Sequence, residues 1–283
     1  KTKEKYFARR KMKTDSDKPY LSVIIPAYNE AKRLPLTLID IDKHLSRAKF
    51  SYEIIVVNDG SKDNTAAVVR NFAGLIRHLR LIDNDVNKGK GGVVRQGMLE
   101  AKGTYRLFMD ADNSTSVDQF EKMIPYLEKG YDVVIGSRAV AGAELSPPQP
   151  WYRQLSGKVG NLIIQALLLP GIWDTQCGFK CFSMRAAERI FPLQRVKGWG
   201  FDVEVISLAR AMGYKIKEMP VVWVNDPDSR IKGSAYLKVL IEVLKIRVWL
   251  WRDVYGLDRA KRGFVQAVPC RPSSEGKHKG LNK

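Results

Sequence analysis

The chain lacks several features that would fix its class at once. No run approaches the roughly 18 consecutive apolar residues that a spanning helix needs. The longest candidate, 162–173, is interrupted by Gln165 and Pro170, so the chain as given reads as soluble or peripheral. Cysteine is scarce: Cys177, Cys181 and Cys270 form no disulfide framework, and an odd count suggests reduced thiols and a cytosolic face. Cys177 and Cys181 stand four apart, but no second Cys/His pair completes a zinc site, so they read as small packing residues. The GxxxxGK[ST] spacing of a Walker A loop is absent. Acidic residues are outnumbered, 30 Asp and Glu against 48 Lys and Arg, which leaves a formal charge of +18. Nucleic acid, an anionic membrane surface or phosphorylated small molecules all fit that excess. The first residue is Lys1 rather than Met, which leaves room for an upstream segment.

What is present is enough for one large core: 283 residues, 45% of them hydrophobic. Residues 1–18 are polar and basic and read as a disordered or membrane-apposed arm. From Tyr20 short apolar runs alternate with helical periodicity. Strands are expected at 21–25, closed by Pro26, and at 52–57, 79–82, 105–109 and 132–136. Between them the 3–4 spacing predicts helices through Leu34, Leu38, Ile41 and Leu45, after the Asp63-Asn64-Thr65 cap, over 92–101 and over 117–129. That alternation implies an α/β fold, a mostly parallel sheet covered on both faces.

The second half is less regular. Pro147-Pro148-Gln149-Pro150 marks a flexible connection before a helix over 152–169. The Cys- and Gly-containing segment 174–182 leads to helices at 185–190 and 201–212, and 216–224 reads as a strand with an edge Pro220. A helix over 235–255 sets Lys238, Glu242, Lys245 and Arg252 on one side, and Leu240, Val243, Leu244, Trp249 and Trp251 on the other. The tail after Gly263 is Pro-, Ser-, Gly- and Lys-rich and reads as disordered.

In parallel sheets ligands bind beyond the carboxyl ends of the strands. Asn29 and Glu30, Asp59, and Asp110 and Asp112 each follow a different strand and should converge there. Asp110-Ala111-Asp112 suits a hard divalent cation shared with phosphate oxygens, or else a solvated turn or helix cap. Asp59 suits a uracil or ribose edge, or an Asx turn within Asn58-Asp59-Gly60. The loop 87–92 (NKGKGG) opens a helix with backbone N–H groups and a lysine that could meet phosphate, or is an ordinary turn.

Taken together, Val23–Glu30 (VIIPAYNE), Val57–Asp63 (VNDGSKD), Asn87–Gly91 (NKGKG) and Asp110-Ala111-Asp112 resemble the family 2 glycosyltransferases, the inverting GT-A class, in order and spacing over residues 20–140. Asp174–Lys180 (DTQCGFK) and Trp199–Glu204 (WGFDVE) resemble the dolichyl-phosphate β-glucosyltransferases within it, and more loosely other polyprenyl-phosphate glycosyltransferases. The resemblance covers 20–255. It implies a GT-A catalytic domain over 19–234, an amphipathic helical region over 235–262 and a basic tail over 263–283. It further implies Pro26, Tyr28, Glu30, Asp59, Lys90, Asp110 and Ala111 around the nucleotide sugar, with Mg²⁺ or Mn²⁺ on Asp112 and Asp110. Arg138, Gln176, Arg230, Lys232 and Ser234 are implied on the phosphate and acceptor side. The family often has Lys directly after the Gly-Ser that is Gly233-Ser234 here, where this chain has Ala235.

Asp202 falls where this class has its acceptor-side carboxylate. It would serve an alcohol acceptor as general base, or orient an acceptor that is already ionised; an N-cap is the other reading. The implied activity is inverting transfer of a hexose, glucose from UDP-glucose first, onto dolichyl or polyprenyl phosphate. GDP-mannose as donor, a soluble or polysaccharide acceptor, and a nucleic-acid-binding α/β protein are the alternatives. Scattered basic residues and the acidic loops argue against nucleic acid. A lipid acceptor implies an anionic membrane surface, which the arm 1–13, the helix segment 162–169 and the helix 235–255 could meet on the cytosolic face. For both helices core packing or an oligomer interface is the other explanation.

Overall fold

The computed structural model describes residues 18–147, 151–225 and 233–257, with side chains described except at 151–154 and 233–236. β1 (Leu21–Ala27) and β2 (Tyr52–Asp59) show why the first half folds as it does. Leu21, Val23 and Ile25 pack on one face of the sheet and Ile24 on the other; Ile54 and Val56 oppose Ile55 and Val57 in the same way. A strand buried on both faces needs a continuous apolar run, and these two runs supply it. Pro26 does not end its strand as the sequence suggested. It pairs with Val57, and β1 continues to Ala27. The ladder from β1 to its other neighbour has already stopped at Ile24, so a residue without an N–H is tolerated there.

The remaining strands are β3 (Leu79–Asn84), β4 (Tyr105–Met109), β5 (Val133–Ser137), β6 (Glu144–Ser146), β7 (Phe179–Ser183), β8 (Ile216–Pro220) and β9 (Val222–Val224). Seven form one sheet in the order β3-β2-β1-β4-β7-β5-β8, while β6 and β9 pair separately. Helices α1 (Leu34–Leu45), α2 (Thr65–Ala73) and α4 (Phe120–Glu128) cover one face. On the other lie α3 (Lys90–Glu100), α5 (Trp151–Leu167), α6 (Met184–Ile190), α7 (Phe201–Ala211) and α8 (Gly233–Trp251). The expected helix over 117–129 begins as a 3-10 turn at Val117–Gln119.

One strand was not anticipated and two expectations need correction. The segment 174–182, for which the sequence reading assigns no element, contains β7, a central strand that runs antiparallel to both neighbours. Its reversal carries the entry loop 174–178 to the edge where β1, β2, β4 and β5 end. The segment 216–224 is two strands in two sheets, with Val221 between them. On α8, Val243 and Ile246 face the core, whereas Leu244 and Trp251 are exposed together with Leu237, Ile241 and Val248. Glu242 is not on a solvated face: it turns inward to Gly200. Among the described residues no helix is long and apolar enough to cross a membrane.

Candidate active site

The loops after β1 and β2 form one braced wall. Asn29, held at φ 56°, accepts from Lys62 N through Oδ1 (2.8 Å), and its own N–H donates to Ser61 Oγ (2.9 Å). Glu30 N donates to Thr65 Oγ1, and Asp63 accepts from Thr65 N at the start of α2. The turn after β2 is braced by Asn58, whose Oδ1 accepts from Ser61 N three residues on. Asp59 instead accepts from Lys88 N at 2.5 Å and ties β2 to the 87–90 loop. Burial pushes the Asp59 carboxyl up, and the N–H groups of Lys88 and Gly89 oppose that rise. Glu30 is engaged by the Arg33 guanidinium at 2.7 and 2.6 Å. Pro26 is buried in β1, while Tyr28 is exposed on the loop beyond it.

Beyond β4 the chain delivers Asp110, Ala111 and Asp112. Ala111 is buried, its carbonyl accepting from Thr37 Oγ1 at 2.7 Å. Asp110 pairs with Lys90 Nζ at 2.6 Å, and Lys90 is the first residue of α3. Burial works against the Lys90 charge, but Asp110, Asp202 and Asp112 outweigh it and hold its pKa above the usual lysine value. Asp112 accepts from Ser114 N at 3.0 Å and forms no ion pair among the described residues. Burial, then the Asp110 charge, push its carboxyl up. No cluster of three or more His, Cys, Asp or Glu that could hold a metal occurs among the described residues.

The entry loop of β7 meets this edge at close quarters. Asp110 N donates to Gly178 O at 3.1 Å, and a Cβ on Gly178 would stand 1.9 Å from Asp110 Oδ2, so only glycine fits there. Arg138, just past β5, makes a bidentate pair with Asp174 at 2.7 and 2.9 Å and lies over Trp223. Its Nε and Nη2 are thus committed within the protein, and it braces the loop rather than standing clear for phosphate. Burial opposes the Asp174 carboxylate, but the Arg138 charge and hydrogen bonds hold it below the usual range.

Lys180, fully buried in β7, reaches Asp202 Oδ1 at 2.5 Å and also donates to Cys177 O. Burial pushes the Asp202 carboxyl up; Lys180 and Lys90 counter it. Asp202 is therefore no N-cap: it sits in the first turn of α7 and makes an ion pair. Cys177 and Cys181 are buried free thiols, as expected, and burial pushes the Cys177 thiol up to about 12. Of the seven buried side-chain polar atoms that make no hydrogen bond among the described residues, three lie here: Asn113 Oδ1, Thr175 Oγ1 and Gln176 Nε2. They flank the Asp110–Asp112 loop on β4 and the entry to β7, where a polar ligand would satisfy them.

The structure thus brings Asp59, Lys90, Asp110, Asp112, Gln176 and Asp202 to one edge. Arg230 and Lys232 lie outside the described residues, as does the side chain of Ser234 and most of the basic arm and tail. The sequence reading assigned no role to Lys180, Asp174, Gly178, Trp199 or Glu242. For the first, the available signals were its place at the end of the Asp174–Lys180 motif and a lysine inside the run Phe179–Phe182. Trp199 packs its ring 4.8 Å from Lys90 Nζ.

A mostly parallel sheet with a paired-aspartate loop, a basic glycine loop and an ion-paired acidic helix start at its carboxyl edge is that of a GT-A type sugar transferase. The chain belongs to glycosyl transferase family 2, whose family model matches residues 22–191. A dolichyl-phosphate beta-glucosyltransferase of Trichomonas vaginalis is 39% identical over 247 residues, 82% of this chain and 76% of that protein. The Dictyostelium discoideum dolichyl-phosphate beta-glucosyltransferase is 37% identical over 248 residues, 83% of this chain and 76% of that protein. Among solved structures, glucosyl-3-phosphoglycerate synthase of Mycobacterium tuberculosis, with Mn²⁺, uridine diphosphate and phosphoglyceric acid bound, shares the fold. Its TM-score is 0.60 at 18% identity, over 81% of this chain and 78% of that one.

Proposed function

We propose that the chain transfers glucose from UDP-glucose to dolichyl phosphate or a related polyprenyl phosphate, with inversion to a β-linked lipid-phosphate sugar. The relatives' names support the sugar and the lipid. The observation that carries the phosphate acceptor is the Lys180–Asp202 pair. Asp202 Oδ1 is already taken by the Lys180 ammonium at 2.5 Å, which favours holding and orienting an acceptor over collecting a proton at that oxygen. A phosphate monoester, with a second pKa of about 6, needs no proton removed. Asp202 then orients the acceptor, with Lys180 holding it in place.

Asp110 and Asp112 fit a divalent cation. Asp112 is half-buried and forms no ion pair among the described residues, and burial, then the Asp110 charge, push its carboxyl up. Two carboxylates fill only part of a hard cation's shell, so phosphate oxygens and water would complete it. Bound there, Mg²⁺ or Mn²⁺ would offset charge on the departing nucleoside diphosphate. Lys90 would add a cation to the donor side of the same loop. Asp59, through Lys88 N, keeps the 87–90 loop against the end of β2, and Pro26, Tyr28 and Glu30 would border the nucleoside. Gln176 would offer its unpaired Nε2 to a phosphate oxygen, with Arg138 framing that side and Arg230, Lys232 and Ser234 supplementing it.

The lipid acceptor calls for a membrane surface. α5 and α8 pack together and expose Leu155, Val159 and Leu162 on one, Leu237, Ile241, Leu244, Val248 and Trp251 on the other. Lys238, Lys245 and Arg247 share the second helix, which suits an anionic, cytosolic leaflet. The deciding measurement is transfer from a panel of nucleotide sugars, with and without polyprenyl phosphate. UDP-glucose with the lipid should give the product, and Asp112→Ala should abolish it while melting stays near that of the parent. Preference for GDP-mannose, or near-parental turnover by Asp112→Ala with metal present, would refute the proposal.

A further inference from the structure

Between the 3-10 turn Phe191–Leu193 and α7 runs a loop held at both ends by carboxylates. At its start Arg195 N and Val196 N donate to Glu204, at 2.9 and 2.8 Å. At its end Gly200 N donates to Glu242 Oε2 at 2.7 Å. Glu242 is the only acidic residue of α8, and no ion pair involves it among the described residues. Its carboxylate lies in a seat made by two glycines: a Cβ on Gly198 would stand 2.3 Å from Oε1, and one on Gly200 2.6 Å from Oε2. Between the two glycines is Trp199, partly exposed, whose ring meets the lysine that pairs with Asp110. Gly200 O accepts from Val203 N and Glu204 N, so the seat also fixes the first turn of α7, which contains Asp202. The helix that grips this loop is the one with the exposed row Leu237, Ile241, Leu244, Val248 and Trp251.

We propose that Glu242 is a positioning residue: from α8 it holds the Gly198-Trp199-Gly200 loop, and through that loop it sets where Trp199 stands against Lys90 and where Asp202 stands on the acceptor side of the site. The seating of α8 is thereby communicated to the site by one hydrogen-bonded carboxylate. The kinetic half of this inference rests on the lipid-phosphate reading above; the geometric half does not.

The test uses the full chain and six variants: Glu242→Ala, Glu242→Gln, Gly198→Ala, Trp199→Phe, and Trp199→Phe combined in turn with Glu242→Ala and with Glu242→Gln. Glutamine keeps an oxygen for Gly200 N–H, whereas alanine removes it and Gly198→Ala crowds the carboxylate out with Glu242 still present. Loss of a hydrogen bond to a charged acceptor should lower kcat/KM for polyprenyl phosphate about 10- to 100-fold in Glu242→Ala and Gly198→Ala. Affinity for UDP-glucose should stay within about 3-fold of the parent, and Glu242→Gln should retain acceptor kinetics within about 3-fold. Trp199 fluorescence, obtained by subtracting the matched Trp199→Phe spectrum, should change in Glu242→Ala and persist in Glu242→Gln. Unchanged acceptor kinetics in Glu242→Ala, equal losses for donor and acceptor, or a Glu242→Gln as impaired as Glu242→Ala would overturn the inference. Should the parent not use polyprenyl phosphate at all, the function proposal fails by itself, and the Trp199 signal decides this one: no change in Glu242→Ala sinks it.

Discussion

Replacing Gly178 by alanine adds one methyl group against the Asp110 carboxylate. The new Cβ would lie 1.9 Å from Oδ2, 2.2 Å from Cγ and 2.6 Å from Oδ1, where ordinary contact begins at 3.4 Å. The carboxylate must therefore withdraw by roughly 1.5 Å, which is 3.4 less 1.9 Å, before packing normalises. Its backbone cannot follow easily, because Asp110 N is bonded to Gly178 O and β4 is paired on both sides. The side chain rotates instead and loses Lys90. Misplacing a positioning group by about 1 Å can lower turnover about 100-fold, equivalent to about 2.7 kcal/mol. Stability should suffer little, since Asp110 is only half-buried and Gly178 does not occupy the left-handed region. The assay is sugar transfer to polyprenyl phosphate for the parent, Gly178→Ala, Asp110→Ala and the double variant. If Gly178 acts through Asp110, adding Gly178→Ala to Asp110→Ala should cost nothing further. Transfer by Gly178→Ala within about 3-fold of the parent, or two independent losses in the cycle, would refute the reasoning.

Three further outcomes are expected. Lys180→Met strands the Asp202 carboxylate in the interior and should destabilise the fold by about 3–5 kcal/mol in urea titrations, whereas Lys180→Met with Asp202→Leu should recover much of that stability but no transfer. A Lys180→Met loss below about 1 kcal/mol would contradict the buried pair. Asp174 is held below its unfolded value of about 3.9, so its contribution is present above that pH and lost as pH falls through the lower folded value. Unfolding measured between pH 6 and 3 should show that acid loss in the parent and a shallower one in Arg138→Met; identical slopes would argue against it. Finally, Leu244→Glu with Trp251→Glu should reduce co-sedimentation with anionic liposomes at low salt, and undiminished binding would remove α8 from the membrane surface.

Much of the first half was legible because its strands are buried on both faces and its helices are amphipathic. β1, β2 and β4 appear within two residues of expectation, and Asp110 and Asp112 fall just past β4 as the periodicity required. The second half hid its central strand. Phe179–Ser183 is five residues long and holds a fully buried lysine, so neither alternation nor an unbroken apolar run marks it. Arg138 looked available because a sequence cannot show that Asp174, 36 residues away, would take both ends of its guanidinium. The sidedness of α8 was misjudged for a related reason. The helix has apolar residues on more than one face, and periodicity cannot tell which face meets the core and which meets solvent. Glu242 was grouped with the lysines by spacing, while tertiary packing put it under the Gly198–Gly200 loop.

The reversed strand has a consequence larger than its length. From one five-residue element and its entry loop the chain obtains three contacts with three different neighbours: Gly178 with Asp110 after β4, Asp174 with Arg138 after β5, and Lys180 with Asp202 on α7. Had β7 run parallel to the rest, its entry loop would begin at the opposite edge, about 16 Å away at about 3.3 Å per residue. All three contacts would be lost together. Among the described residues they leave Lys90 and Lys180 facing Asp110, Asp112 and Asp202, two cations against three carboxylates, with Arg138 and Asp174 cancelling one another. A protein with a formal charge of +18 thus keeps, among the described residues, a local negative excess where Asp112 forms no ion pair. Like charges 4 Å apart repel by about 4 kcal/mol at an effective dielectric of 20. A bare diphosphate would be disfavoured at such an edge, while a diphosphate sharing a divalent cation with Asp112 would not, and this is the physical reason the proposed donor and the proposed metal belong to the same site.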